Sequence, residues 1–278
     1  MMLVLTLLVR DEVDIIKGML DYHLASGVDH IIITDNGSTD GTYEICKDYE
    51  ISNAITLLTE SPSDFSQHRW VSRMANLAHD KLHADWIIHA DADELFLPVE
   101  LHHNLKETLK KIPKNISVLH VPRHDFVSIE LSMQNPPQVE MIYRKNTSLN
   151  IKGKPLTPKV IHRGSPNVIV TQGNHSVTGD NLGKPTLTKN LLVYHYPIRS
   201  YHQFYSKVSN GGSGYARNKE LGPNMGFHKR YWYNLLTNNV LSELYYKEYL
   251  FTPEKLERAI KNNEIIEDRR IAYIFDAI

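Results

Sequence analysis

The sequence predicts an α/β fold with a mainly parallel sheet and helices on both of its faces. Over about the first 95 residues, strand-like and helix-like segments alternate four times, which is the pattern of strands joined by right-handed helical crossovers. After about residue 100 the pattern loosens, and segments rich in Gly, Pro, Asn, Thr and Lys separate short apolar runs. We therefore expect a less regular C-terminal half with small antiparallel strands and helices.

The predicted strands of the first half are short apolar runs rich in β-branched residues, typical of strands buried on both faces. These runs are Leu3–Val9, His30–Thr34, Ala54–Leu58 and Trp86–His89. Apolar residues at helical spacing predict helices at Asp11–Ser26, Thr42–Tyr49 and Phe65–Leu82. Gly27 is a typical stop for the first of them.

The second half yields fewer regular segments. A helix is predicted at Leu101–Lys111, and the residues 199–210 and 229–262 also look helical. Strands are predicted at Val118–Pro122, Val139–Tyr143, Val160–His162, Val168–Thr171 and Leu191–His195.

Composition excludes several classes of protein. The 278 residues carry 31 Lys and Arg against 32 Asp and Glu, so the basic excess typical of nucleic-acid binding is absent. The single cysteine, Cys46, lies in the apolar phase of a helix and is best explained as core packing. The apolar opening lacks the features of a signal peptide, and no run is long enough to span a membrane.

An acidic group follows the fourth predicted strand in the segment WIIHADADELF. Asp91 and Asp93 are one residue apart, so their carboxylates can converge and would then repel each other. A hard divalent cation, Mg²⁺ or Mn²⁺, neutralises such a pair and can bind phosphate oxygens as well. The alternative is a solvated turn after the strand.

A second polar segment, DNGSTDGT, follows the second predicted strand. It suits a turn with a helix cap, and Asp35 at the strand end could also accept hydrogen bonds from a base or ribose. Both interpretations stay open. Neither a Walker lysine motif nor a G-x-G-x-x-G motif after the first strand is present, which argues against P-loop ATPases and dinucleotide-binding enzymes.

The order LLVRDE, IIITDNGSTDGT, SQHRWVSRMANLAHD and DWIIHADADELF resembles the family 2 type of glycosyltransferase with the GT-A fold. The later YHYPIRSYHQFYSKV is similar to a late segment of the same subgroup. The resemblance implies a UDP- or GDP-sugar donor, a glycan-type acceptor, and Mn²⁺ or Mg²⁺ as cofactor. It also implies inversion at the sugar carbon.

The resemblance further implies roles for individual residues. The metal ligands would be Asp91, Asp93 and His195, with His175 as a rival histidine. Substrate-binding residues would be Val9, Arg10, Glu12, Asp35, Arg69, Arg73, Lys159 and Lys207. The carboxylate that accepts the acceptor proton would be Asp125 or Glu94, and Glu94 could instead be a structural anchor. Arg69, Arg73 and the two lysines also suit an ordinary solvated surface.

The same resemblance divides the chain into residues 1–120, which would bind the nucleotide sugar, residues 121–215 on the acceptor side, and a helical extension at 216–278. Large processive members of family 2 carry a QxxRW element and membrane spans, and the sequence has neither. The alternatives are a non-catalytic GT-A-like module that binds a glycan or partner, and a nucleotidyltransferase. We expect a cytoplasmic protein, with peripheral membrane contact at the inner face or homo-oligomer formation as options.

Overall fold

The structure is a computed structural model that describes residues 1–61, 66–100, 102–132, 134–150, 152–217 and 227–277. Side chains are described for the same ranges, except at 213–217, 227 and 228. The predicted starting points of two helices, Phe65 and Leu101, lie outside the described residues.

The first half alternates strands and helices as predicted. Its elements are β1 Leu3–Val9, α1 Ile16–Ala25, β2 His30–Asp35, α2 Thr42–Ile51, β3 Ile55–Thr59, α3 Gln67–Leu82, β4 Trp86–Asp91, β5 Glu94–Pro98 and α4 Leu105–Lys110. The strand β5 is not among the predicted elements.

The second half contains shorter strands and most of the helices. Its elements are β6 Val118–Val121, β7 Arg123–Asp125, α5 Pro137–Glu140, β8 Tyr143–Lys145, β9 Lys159–Arg163, β10 Ile169–Val170, β11 Val177–Thr178, β12 Thr186–Leu187, β13 Leu191–His195, α6 Tyr201–Arg217, α7 Phe227–Thr237, α8 Leu241–Leu244, α9 Pro253–Lys261, β14 Ile265–Glu267 and α10 Arg270–Phe275. A π-helical turn, Tyr245–Tyr249, follows α8 directly.

A seven-stranded sheet with the order β12-β6-β9-β4-β1-β2-β3 forms the centre of the molecule. All neighbouring strands in it are parallel except for β9, which runs antiparallel to both β4 and β6. The register places Val9 beside Asp35 and Leu8 beside Asp91. The carboxyl ends of β1, β2 and β4 therefore meet at one edge, where ligands bind in sheets of this kind.

Helices cover both faces of this sheet, as the alternation of side chains along a strand requires. Leu5, Ile31 and Ile88 point to the face that buries α1 and Cys46 of α2. Val4, Ile32 and Ile87 point to the opposite face, which buries Val71, Met74 and Ala75 of α3. The predicted mainly parallel α/β fold is thus confirmed.

One prediction for the second half is wrong. The segment Val139–Tyr143 is not a strand: α5 begins at Pro137, a residue whose fixed φ suits the first turn of a helix, and the strand starts only at Tyr143. The residues 229–262 are mostly helical, as predicted, but they are divided into several helices: Asn239 adopts a left-handed conformation with φ of 59° after α7. Pro253 then begins a new helix. Among the described residues, no helix has the length and apolar character needed to cross a membrane.

Candidate active site

The acidic segment forms a tight turn at the carboxyl edge of the sheet. β4 ends at Asp91, Ala92 and Asp93 make the turn, and β5 begins at Glu94. A three-stranded sheet, β5-β13-β7, then places His195 opposite both Glu94 and Asp125. Residues far apart in the chain are thereby brought to one place.

Asp93 is the centre of the group, and its side chain is only 5% exposed. Its Oδ2 accepts a hydrogen bond from Lys207 Nζ and lies 3.7 Å from His195 Nε2. Burial raises the pKa of Asp93, but the Lys207 and His195 charges outweigh burial and hold this pKa well below its usual range. Asp93 is therefore ionised, and the cations around it stabilise its negative charge.

The imidazole of His195 lies between two carboxylates. Its Nδ1 is 2.8 Å from Asp125 Oδ1, while its Nε2 faces Asp93. Burial lowers the pKa of His195, but the two carboxylates raise it to about 9. Asp125 is held in place because its backbone N–H donates to Ser148 Oγ at 2.8 Å.

These residues fit a divalent cation. A carboxylate bound to one histidine nitrogen fixes the ring so that the other nitrogen faces the metal, and Asp125 and His195 have this arrangement. Two ligand atoms of one metal with bonds of about 2.1 Å are roughly 3.0–4.2 Å apart, and the 3.7 Å between Asp93 Oδ2 and His195 Nε2 lies in that range. Asp93 and His195 could thus hold Mn²⁺ or Mg²⁺ together with phosphate oxygens.

Asp91 is engaged differently from Asp93. Its Oδ2 accepts from Lys159 Nζ at 2.6 Å and its Oδ1 from Asn174 Nδ2 at 3.2 Å. The Lys159 ammonium also lies 2.9 Å from the fully buried Glu94. Both carboxylate oxygens of Asp91, a predicted metal ligand, are therefore already hydrogen-bonded to protein groups.

Glu94 is tied to its surroundings on several sides. Besides Lys159, Arg123 Nη1 lies 3.4 Å from its Oε1, and its Oε2 accepts the backbone N–H of Asp91 at 3.2 Å. Burial raises the pKa of Glu94, and Lys159 opposes this rise. These contacts fit a structural anchor, which is one of the two roles predicted for Glu94.

The other polar segment lies at the end of the neighbouring strand β2. Asp35 Oδ2 accepts the backbone N–H groups of Gly37 and Ser38 at 2.9 and 3.1 Å, so this carboxylate shapes the DNGS loop. Its Oδ1 is buried and has no hydrogen-bond partner in the described part of the chain. A buried acceptor without a partner is costly, which makes this oxygen a candidate for binding a ligand N–H or O–H.

The residues after β1 close the edge of the site. Val9 is buried, and its carbonyl accepts the Asn36 N–H at 3.0 Å. Arg10 Nε lies 3.7 Å from Asp11. Glu12 accepts from Arg199, a residue that the sequence predictions missed.

Arg199 is fully buried and binds two carboxylates at once. Its Nη2 donates to Glu12 and, at 2.8 Å, to Asp14, and its Nε donates to Asp14 at 2.7 Å. Its Nη1 donates to the Tyr196 carbonyl at 3.1 Å. The only signal in the sequence is the position of Arg199 four residues after His195.

Two predicted site residues, Arg69 and Arg73, lie outside this cluster, and His175 lies at its margin beside Asn174. Arg69 and Arg73 are exposed on α3, and Arg73 Nη1 binds Glu60 Oε1 at 2.6 Å. The Glu60 N–H in turn donates to the Asp35 carbonyl at 2.8 Å, so Arg73 is linked through Glu60 to the end of β2. His175 Nδ1 lies 2.9 Å from the Pro158 carbonyl, and burial lowers its pKa to about 4.

Comparison with known proteins places the chain among glycosyltransferases. The model of "Glycosyltransferase family 92" matches residues 6–230. No curated protein matches the chain. The coarser expectation of a glycosyltransferase is confirmed, while the matching family is 92 rather than family 2, to which the resemblance pointed.

Solved structures with a similar arrangement have low identity to this chain. S. aureus TarS 1-349 in complex with UDP is 13% identical, with a TM-score of 0.40, and the match covers 89% of this chain and 73% of that chain. Glucosyl-3-phosphoglycerate synthase from Mycobacterium tuberculosis, in complex with Mn²⁺, UDP and glucosyl-3-phosphoglycerate, is 17% identical with a TM-score of 0.30. That match covers 51% of this chain and 47% of that chain.

Proposed function

The chain belongs to glycosyltransferase family 92, and on this basis we propose that it moves a sugar from a UDP- or GDP-sugar to a glycan, lipid-linked or protein acceptor in a metal-dependent, inverting reaction. The observation that carries the proposal is the convergence of Asp93, His195 and Lys207 at the sheet edge. An edge site with a buried carboxylate, an oriented imidazole and an ammonium suits a diphosphate and its metal.

In this proposal each side of the site binds a different part of the donor. Asp35 Oδ1, the buried acceptor without a protein partner, receives a hydrogen bond from the nucleoside. Lys207, whose side chain is 29% exposed, and Lys159 add positive charge beside the diphosphate. Asp93 and His195 hold the metal, which when bound acts as a Lewis acid and neutralises charge on the leaving diphosphate.

The remaining carboxylates keep this arrangement in place. We assign Asp125 to hold the His195 ring in the orientation in which Nε2 faces Asp93. Glu94 anchors Lys159 and Arg123 beneath the turn, since it is fully buried between them. The Arg199 guanidinium fixes Glu12 at the end of β1.

The test is a screen of nucleotide sugars by thermal unfolding, with and without Mn²⁺. We expect one class of nucleotide sugar to raise the Tm only when Mn²⁺ is present, because binding to the folded state stabilises it. The Asp93→Asn variant should lose this shift and the transferase activity. A shift and turnover that persist in EDTA and in Asp93→Asn would contradict the metal assignment.

We also propose that the protein acts in the cytoplasm, where exposed aromatic side chains of the C-terminal part contact a membrane surface or a second copy. Tyr205, Tyr231 and Tyr246 are 46%, 45% and 59% exposed. Sedimentation with lipid vesicles and light scattering of the free protein distinguish these two uses. Neither use holds if the protein stays monomeric and vesicles do not bind it.

A further inference from the structure

Lys207 and His195 approach the same oxygen of Asp93. Lys207 Nζ donates to Oδ2, and His195 Nε2 is 3.7 Å from it. The ammonium is also held by the Pro197 carbonyl at 3.0 Å. Lys207 therefore has a defined position next to the place where Asp93 and His195 can hold a metal.

A divalent cation and the Lys207 ammonium cannot both bind Asp93 Oδ2 without a large electrostatic cost. Two positive charges a few ångströms apart repel each other, and the repulsion is larger at a buried carboxylate than in water. Asp93 Oδ2 must lose its lysine before it becomes a metal ligand. The displaced ammonium then needs another anion.

The nearby carboxylates already have cations. Glu12 binds Arg199, and Asp91 binds Lys159. Lys207 keeps its charge: burial lowers its pKa, but Asp93 and Glu12 outweigh burial and raise it. The diphosphate of the donor is the anion that the proposed function brings to this place.

We propose that Lys207 occupies Asp93 in the metal-free enzyme and moves onto the diphosphate when the metal binds, so that metal and nucleoside diphosphate bind cooperatively. This inference rests on the proposed function. Lys207 then has two opposite effects. Its ammonium weakens binding of the metal alone, and it stabilises the complex that contains both the metal and the nucleotide. By linkage, each of the two ligands must raise the affinity for the other by the same factor.

The test measures Mn²⁺ binding by electron paramagnetic resonance, without nucleotide and with saturating UDP or GDP. In Lys207→Met we expect Mn²⁺ alone to bind about tenfold or more tightly than in the wild type, the effect of losing a competing hydrogen bond to a charged group. With nucleotide, the same variant should bind Mn²⁺ about as tightly as the wild type, because Lys207 has then already left Asp93. The ratio of the two Mn²⁺ affinities should therefore fall.

Two variants control for loss of fold and charge. Lys207→Arg keeps the positive charge and should retain weak binding of Mn²⁺ alone and tight binding with nucleotide. Lys17→Met removes an exposed ammonium that pairs with Asp21, and both affinities should stay at wild-type values. Circular dichroism checks that each variant is folded.

The outcomes separate this inference from the proposed function. If Lys207→Met strengthens Mn²⁺ binding equally with and without nucleotide, Lys207 only neutralises Asp93 and the proposed movement is wrong. If Mn²⁺ affinity does not change in either condition, the competition for Asp93 is wrong. If wild-type protein binds neither Mn²⁺ nor nucleotide, the proposed function fails and this inference fails with it.

Discussion

At the scale of single residues, Asp35 combines two tasks in one carboxylate. Its Oδ2 organises the loop after β2, and its Oδ1 is buried without a partner among the described residues. The two tasks can be separated, because asparagine has the same shape but only one acceptor oxygen. The N–H groups of Gly37 and Ser38 can donate only to the asparagine oxygen, so the new NH₂ group must take the position of Oδ1.

We expect Asp35→Asn to weaken nucleotide binding while leaving stability nearly unchanged. The asparagine oxygen can still accept from Gly37 and Ser38, and its NH₂ group then replaces the acceptor that faces the ligand. Loss of a hydrogen bond to a charged group corresponds to about 1.5–3 kcal/mol, or roughly a 10- to 150-fold rise in Kd for UDP or GDP. Calorimetry measures the Kd, and an unchanged value would remove Asp35 from the nucleoside site.

Asp125 offers a second test at this scale. Asp125→Asn removes the negative charge from the hydrogen bond to His195 Nδ1, so the imidazole becomes a poorer and less well oriented ligand. Loss of such a supporting carboxylate typically reduces metal affinity 10- to 100-fold. We expect this loss in Mn²⁺ binding measured by electron paramagnetic resonance.

The rival histidine provides the matched control. His175→Gln should leave Mn²⁺ affinity unchanged, because the ring of His175 is bound to the Pro158 carbonyl. The reverse result, a loss in His175→Gln and none in Asp125→Asn, would assign the metal to the other histidine.

The residues of the site differ in how well the sequence predicts them. Asp35, Asp91 and Asp93 are predictable because each lies at the carboxyl end of a recognisable parallel strand, and that rule places them together. Arg199 is not, because its partner Glu12 is 187 residues away and no local pattern connects the two. Pairs of this kind depend on the whole topology.

At the scale of elements, three strands of the sheet are joined by a chain of buried hydrogen bonds. Thr6 Oγ1 lies 2.6 Å from His89 Nδ1, and His89 Nε2 lies 2.9 Å from His162 Nε2. His162 Nδ1 donates to the Arg163 carbonyl at 2.7 Å, so its Nε2 must accept from His89, whose Nδ1 accepts from Thr6. Both rings are neutral in this arrangement.

We expect this pair to make the fold sensitive to acid. Burial lowers the pKa of His162 to about 4 and that of His89 well below its usual 6.5. The unfolded chain therefore binds more protons between pH 6.5 and about 4, and the free energy of unfolding falls as the pH drops through this window. The slope is at most about 1.4 kcal/mol per pH unit for each histidine.

Urea unfolding at pH 7, 5.5 and 4.5 measures this slope. His162→Gln should show a smaller slope than the wild type, whereas His102→Gln, at an exposed position, should keep it. Equal slopes in all three proteins would show that the pair does not titrate as its burial requires.

Some of the short elements are not predictable from the sequence. The strand β5 follows the Asp91–Glu94 turn directly, and it forms because β13 pairs with it from about 95 residues further along the chain. The strand predicted at Val139–Tyr143 fails for a local reason, since two consecutive prolines just before it, Pro136 and Pro137, favour a helix start over a strand. Strong apolar periodicity predicted the central sheet, whereas tertiary pairing decided the short strands.

At the scale of the whole molecule, a strand pairing and one buried carboxylate help to attach the C-terminal segment, β14 and α10, to the rest of the chain. β14 pairs with β8, and Asp268 just after it accepts from Arg144 Nε at 2.8 Å and from Tyr194 Oη at 2.6 Å. Arg270 donates to the same carboxylate. The predicted extension at 216–278 therefore contributes to the sheets and ion pairs of the rest of the chain.

We expect Asp268→Ala to lower the free energy of unfolding by about 3 kcal/mol, because it removes a buried carboxylate that pairs with two partly buried arginines and leaves the buried Tyr194 hydroxyl without its acceptor. Glu267→Ala is the matched control: it removes an ion pair with Arg269 in which both side chains are about half exposed, which contributes at most about 1 kcal/mol. Urea unfolding followed by circular dichroism measures both. Similar small losses in the two variants would show that Asp268 does not hold the C-terminal segment in place.

The long-range ion pairs of the site also bear on how the protein folds. Asp93 and Lys207 are 114 residues apart, and Glu12 and Arg199 are 187 apart. Contacts between such distant residues close large loops and form slowly. On a ribosome, the segments that carry Glu12 and Asp93 emerge long before Arg199 and Lys207, so these carboxylates stay solvated until their partners are synthesised. This edge of the sheet is then among the last parts of the molecule to mature, so the nucleotide binding that we propose for it would appear in a newly made chain only after most of the fold has formed.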